Sequence, residues 1–265
     1  MNDDTLRYYD RQGVFSPAKR GDNKSKYRYY SPMQITTVKM IRVLTEIGVP
    51  LKTIREMTES RTPEKMIKLL ARNREKIEDE LRFLNDVHSV MKTFLELMCR
   101  GISVTETDIT VSQLPEKNII LGDLTDFSGS TEFYGEFMRF CHASHEPDIN
   151  LSYPIGGYWE SMDAFLDEST RPMRFFSLDP KGNEKMPAGL YLNGYTRGYY
   201  GETNDLPERM KKFADENNLV FTGMVFNTYL FDEISVSDPE NYLLQVSASV
   251  KETRRVSSRR PLRHL

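Results

Sequence analysis

The longest regular pattern in the chain is a seven-residue repeat. Leu70, Ile77, Leu84, Met91 and Met98 fall seven apart, and Leu81, Val87, Phe94 and Leu95 widen the stripe. Neither glycine nor proline interrupts it between Glu64 and Met98. Apolar heptads on an unbroken helix are the signature of a coiled coil. The pattern predicts one helix from Thr62-Pro63-Glu64 to Met98, ended by Arg100-Gly101. At 1.5 Å per residue such a helix spans roughly 54 Å, and a second copy is the natural cover for its stripe. Asn73 and Glu80 break the seam and leave its register open.

Before this helix the pattern is shorter in period. Ile35, Val38, Met40, Ile41, Val43 and Leu44 recur at helical spacing after Ser31-Pro32, and Gly48 stops that helix. Val49-Pro50 opens another, residues 51–59, with Leu51, Ile54 and Met57 on one face. At the front, Arg7, Tyr8, Tyr9 and Asp10 lie on a short helix. Its N-cap is read from Asn2-Asp3-Asp4-Thr5, and Gly13 ends it. Val14-Phe15 reads as a short strand, residues 19–24 as a basic turn, and Tyr27 to Tyr30 as a strand rich in aromatics. Helix, strand, basic turn and strand make a helix-plus-wing plan.

After the long helix the texture changes. Residues 108–111, 118–124, 153–160, 173–178, 190–196, 220–231 and 242–250 read as strands. Residues 132–143 and 206–216 read as helices. The order β-β-α-β-β-β-α-β-β predicts one antiparallel-rich α+β domain with two similar halves. The expected division is 1–60, 61–100, 101–250 and a basic, disordered tail at 251–265.

Charge sharpens this division. The net formal charge is −3 over 265 residues. Residues 1–60 carry 11 Lys/Arg against 7 Asp/Glu, whereas residues 101–250 carry 10 against 24. A basic front suits a polyanion. The acidic bulk suits cationic small molecules, with plain solubility as the competing account. Two cysteines, Cys99 and Cys141, suit reduced thiols in a cytosol rather than a disulfide framework. No apolar run reaches membrane-span length. Cys141-His142 with His145 could begin a metal site, but surface histidines are the commoner outcome. No phosphate-cradling glycine motif or nucleophile elbow appears, so no cofactor is expected and an enzyme is not.

Taken in order, LRYYD (residues 6–10), Gly13 with Val14-Phe15, YRYYS (27–31) and IGVPLKTI (47–54) resemble the MerR family of transcription regulators. The family's module normally has a strand and a helix before LRYYD, and here only Met1 to Asp4 precede it. The expectation is a gene start placed too late or a shortened chain. The resemblance implies a winged helix-turn-helix lacking its usual first helix, followed by an antiparallel dimer helix. It implies contacts to double-stranded promoter DNA from Arg7, Tyr8, Tyr9, Lys26, Arg28, Tyr29 and Lys52. Lys52 sits at a helix start, where backbone N–H groups favour an anion. A solvated charged face is the plainer account of any one of them.

PAGLYLNGYTRGYY (187–200) and FNTYLFDEISVSDPENYLLQVSASV (226–250) resemble the GyrI-like effector domain of the drug-responsive members. That implies a cytoplasmic homodimer acting indirectly on RNA polymerase. An aromatic or hydrophobic cationic effector would reshape the dimer, distort an over-long promoter spacer and activate transcription. Expected ligand contacts are Tyr153, Trp159, Tyr191, Asn227, Tyr229 and Glu136, since aromatic faces attract flat and cationic ligands. Ordinary core is the competing account of the aromatics. The family's pattern has a glutamate two residues before the tyrosine matched by Tyr229, and here that position is Asn227. Either another acid meets the cation, with Glu132, Glu136 and Glu160 as candidates, or the ligand is neutral. The alternative reading is a GyrI-like protein that sequesters or hydrolyses a small molecule with little DNA role. Asn227 opposes hydrolysis, because an amide is no general base.

Overall fold

The computed structural model describes residues 3–21, 27–59, 62–127, 133–143, 153–182 and 184–253. It divides into two compact units, Met1–Asp86 and Val87–Leu265, and the division falls within the long helix.

In the first unit, α1 (Asp3–Arg11) begins at the two aspartates, which favour the positive end of the helix dipole. Gly13 then turns the chain at φ +69°. Tyr9 O accepts from Val14 N at 3.0 Å and Phe15 N at 3.3 Å, drawing those residues back under the helix. Val14 and Phe15 form no strand, because their side chains are spent in the core. The first wing strand is instead β1 (Lys19–Arg20), out of the expected basic turn, and it pairs antiparallel with β2 (Arg28–Tyr29). α2 (Gln34–Glu46) and α3 (Leu51–Glu59) follow, joined through Gly48 at φ +78°. Tyr9, Val14, Phe15, Ile41, Leu44, Val49 and Ile54 make one core.

α4 runs from Pro63 to Ile102, forty residues, or about 60 Å. It passes through Gly101, where the sequence suggests an end. A Cβ on Gly101 would lie 2.8 Å from the Phe231 ring and 3.2 Å from Leu230 Cβ. Glycine is there for close approach, not for termination. Gly101→Ala should therefore cost roughly 1–3 kcal/mol, read as a lower midpoint in chemical denaturation. An unchanged midpoint would show that Phe231 yields freely.

Among the described residues, the second unit is built on an eight-stranded antiparallel sheet. Its strands are β3 (Ile109–Leu114), β4 (Lys117–Leu124), β5 (Ile155–Trp159), β6 (Arg174–Ser177), β7 (Glu184–Met186), β8 (Gly189–Arg197), β9 (Leu219–Phe231) and β10 (Leu243–Glu252). Their order is β3-β8-β10-β9-β5-β6-β4-β7. The helices are α5 (Phe133–Ala143), α6 (Met162–Asp167) and α7 (Leu206–Glu216). Two halves have one plan. β4-α5-β5-β6 and β8-α7-β9-β10 each put their last strand between the other two, and the halves join where β5 meets β9. α6 and β7 were not legible as elements, being six and three residues long.

Two cores fill the unit. One packs Trp159, Phe165, Leu206 and Met210 against β8, β9 and β10. The other gathers Leu97 of α4 with Phe176, Tyr191 and Phe226. Residues 254–265, most of the expected tail, lie outside the described residues, as do Asn2, Lys26, Glu132 and His145. Among the described residues no helix is long and apolar enough to cross a membrane, and no cluster could hold a metal ion.

Candidate functional site

On the head, Asp10 is the central group. Its side chain is only 3% exposed, and its two oxygens hold one arginine from each wing strand. Arg20 Nη2 donates to Oδ1 at 2.7 Å and Arg28 Nε to Oδ2 at 2.8 Å. Burial opposes ionisation of this carboxyl, but the arginine hydrogen bonds win and hold it below the ordinary carboxylate value. The same bond raises the Arg28 guanidinium further above its already high value. Two-residue strands have little pairing of their own, so this clasp fixes the wing against α1.

Tyr8 and Tyr29 are exposed, and Arg7 is exposed with Asp3 at 2.5 Å. Lys52 is exposed at the start of α3. Tyr9 differs from expectation. It is 6% exposed, sits in the head core and hydrogen-bonds Thr45 Oγ1 at 3.3 Å, so it holds α1 on α2 rather than facing outward.

The second unit holds a cavity of about 650 Å³. It opens where β5 and β9 meet, closed by α5, the end of β9 and Phe94 of α4. Its walls are phenylalanines and tyrosines, including Phe133, Phe175, Tyr199 and Tyr200. Tyr153, Asn227 and Tyr229 line it. Asn227 Oδ1 accepts the Gly157 N–H, pinning β9 to β5. The Tyr229 hydroxyl donates to Tyr199 O at 3.3 Å and accepts from Gly201 N at 2.9 Å. Burial pushes its ionisation well above the ordinary tyrosine value, so it stays a neutral phenol. Tyr134 and Tyr199 share a hydrogen bond at 2.5 Å, and chiefly through it Tyr134 is pushed up to about 12.

Three expected contacts lie elsewhere. Trp159 is 1% exposed, packs edge-on against Phe165 at 4.9 Å and donates its indole N–H to Glu168 O at 2.9 Å. Tyr191 is equally buried, its hydroxyl donating to Pro187 O at 2.9 Å. Both satisfy their polar atoms inside the core. Glu136 is buried on α5 against Arg139, off the cavity lining, and Glu160 is exposed on a bend after β5.

Sequence reasoning missed the carboxylates that do line the cavity, Asp232 and Glu233. Burial raises the Asp232 carboxyl despite its backbone hydrogen bonds. Nothing local separates Asp232-Glu233 from an ordinary acidic turn after a strand. Their position is set by where β9 ends.

Comparison with known proteins fits this geometry. Residues 1–61 match the family described as MerR HTH family regulatory protein. The Multidrug-efflux transporter 2 regulator of Bacillus subtilis (strain 168) is 27% identical over 254 residues, covering 94% of this chain and 91% of that protein. Transcriptional regulator BrlR of Pseudomonas aeruginosa is 46% identical over 50 residues, 19% of this chain and 18% of that one. A solved EcmrR–DNA complex aligns at a TM-score of 0.41 and 16% identity, covering 94% of this chain and 95% of that chain. The basic head with its clasped wing thus lies in the residues that match the MerR regulators, and the chain, aromatic cavity included, is similar over nearly its whole length to a multidrug-transporter regulator.

Proposed function

We propose that this regulator works as a cytoplasmic homodimer that activates a promoter when an aromatic, cationic small molecule enters the cavity between β5 and β9. The observation that carries the ligand class is the lining. Among the described lining residues there are ten aromatic rings, two carboxylates and no lysine or arginine. Rings attract cations through their quadrupoles, and a cavity of about 650 Å³ suits a drug-sized molecule. The protein binds rather than turns over its ligand: the floor residue Asn227 is an amide and no general base, and the carboxylates Asp232 and Glu233 are held by the Ile234 N–H and the Tyr200 hydroxyl.

The dimer is read from α4. Leu70, Ile77, Leu84 and Met91 are 39%, 36%, 53% and 65% exposed in the single chain. A second copy of the same helix is the partner whose stripe matches theirs. Arg7, Tyr8, Arg28, Tyr29, Lys52 and Lys26 contact DNA. Tyr9 serves indirectly, by seating α1. Ligand then reshapes the dimer and twists an over-long promoter spacer, through which RNA polymerase is engaged. Bending or twisting of this kind is stored as deformation energy in the DNA.

The test is operator binding over a salt series, with and without a planar cationic dye. Arg7→Ala with Arg28→Ala should lower the salt slope by about two and affinity by roughly tenfold to a hundredfold. Arg7→Ala alone, which leaves the Asp10 clasp intact, should lower the slope by about one. Unchanged slopes would remove these residues from the interface. Dye binding without any operator preference would remove the DNA role itself.

A further inference from the structure

We propose that the cavity selects ligands carrying their positive charge at one end, and that Asp232 and Glu233 at its rim receive that charge. This rests on the reading of the cavity as the effector site. The cavity has two unlike ends. At the buried end lie Tyr153, Gly156, Gly157 and Phe175, all among the buried residues. Phe133 and Phe137 meet the Phe175 ring edge-on at 5.4 and 5.6 Å. The polar side chain on this floor is Asn227, itself 8% exposed. Its oxygen is taken by the Gly157 N–H. The amide is neutral, so it offers a cation a dipole and no compensating charge.

The other end is open. Glu233 and Ile234 are exposed, and Tyr199 is 39% exposed. The Tyr200 hydroxyl donates to the Glu233 carboxylate, which fixes that side chain at the rim. Asp232 is half-buried beside it, one oxygen accepting from Ile234 N at 3.1 Å. Tyrosine rings gather beside this rim. Tyr200 lies 4.7 Å from Tyr229 and 5.2 Å from Tyr242. Faces of this kind add cation–π attraction next to the carboxylates.

The consequence is positional. A terminal ammonium can rest at the rim while its apolar body fills the phenylalanine end. A cation buried at the centre of four aryl groups must carry its charge over the neutral floor. There the local dielectric is low and nothing compensates it.

The experiment is titration calorimetry on the full chain with three probes. They are a naphthylbutyl-trimethylammonium ion, its uncharged isostere ending in a tert-butyl group, and tetraphenylphosphonium. The wild-type protein should bind the ammonium ion about fivefold to tenfold more tightly than the isostere. It should also bind it more tightly than tetraphenylphosphonium. Asp232→Asn with Glu233→Gln should erase the preference, weakening the ammonium ion by about tenfold and the isostere by less than about twofold. Added salt should weaken only the charged probes. If the double variant weakens the ammonium ion and the isostere alike, or neither, the rim assignment is wrong. Equal wild-type affinity for those two probes would also sink it while leaving the cavity as the effector site. If the wild-type protein binds none of the three, the effector-site reading falls as well.

Discussion

Gly156→Ala should lower the unfolding temperature of the second unit by roughly 10 °C. The new Cβ would run into the backbone carbonyl of Asn227, and it would come within 2.7 Å of the Phe176 ring. Side chains can move aside, but a strand backbone can do so only by parting from its neighbour. The neighbours here are β5 and β9, whose pairing (Tyr158 with Phe226, Trp159 with Val225) joins the two halves of the sheet. Overpacking typically costs about 1–3 kcal/mol, and this site lies at or above the top of that range. Gly189→Ala is the control, because its Cβ would meet only Tyr191 at an ordinary 3.7 Å. That variant should melt within about 2 °C of the parent. Equal melting of both variants would mean that the sheet yields at the junction, and the cavity floor would then be soft.

Asp10→Ala should cost operator specificity more than it costs affinity for DNA at large. Removing the carboxylate releases Arg20 from β1 and Arg28 from β2 at once. Both guanidinium groups then lose the carboxylate that neutralises and orients them, and the head gains a unit of positive charge. Affinity for random-sequence DNA should rise about twofold to fivefold, with a steeper salt slope. Specific binding should fall, because the wing no longer has a fixed angle to α1. The ratio of specific to non-specific binding is expected to drop by about tenfold or more, measured by competition titration at fixed salt. An unchanged ratio would show that the wing is held by something other than the clasp. The acid limit has a definite sign. Asp10 titrates below its ordinary value of 3.8, so the clasp is complete above that pH and fails only as pH falls through the lowered value.

The elements most legible in the sequence were those whose neighbours along the chain already say where the core lies. The heptad stripe announced α4, and α3 and α7 took the bounds read from their apolar faces and caps. β8, β9 and β10 were legible because each is a long, β-rich apolar run. LRYYD and YRYYS marked the head, and the repeated strand-helix-strand-strand plan was visible in the order of elements.

What stayed hidden depends on contacts between distant residues. Gly101 looked like a helix end, yet it is a point of close packing against Phe231. Tyr9 looked like a groove contact but is claimed by Thr45, thirty-six residues away. Trp159, Tyr191 and Tyr229 read alike in sequence. The pairing of β5 with β9 and of β8 with β10 turns the first two into core and leaves the third at a cavity. The charge of the site moved for the same reason. Asn227 stands where an acid was expected, while Asp232 and Glu233 reach the cavity because β9 ends beside it. Periodicity and motif are local properties, and they determined the elements, their order and the likeness of the head to the MerR regulators. Which side chain meets a ligand is a matter of register between strands far apart in the chain, and only the folded sheet decides that.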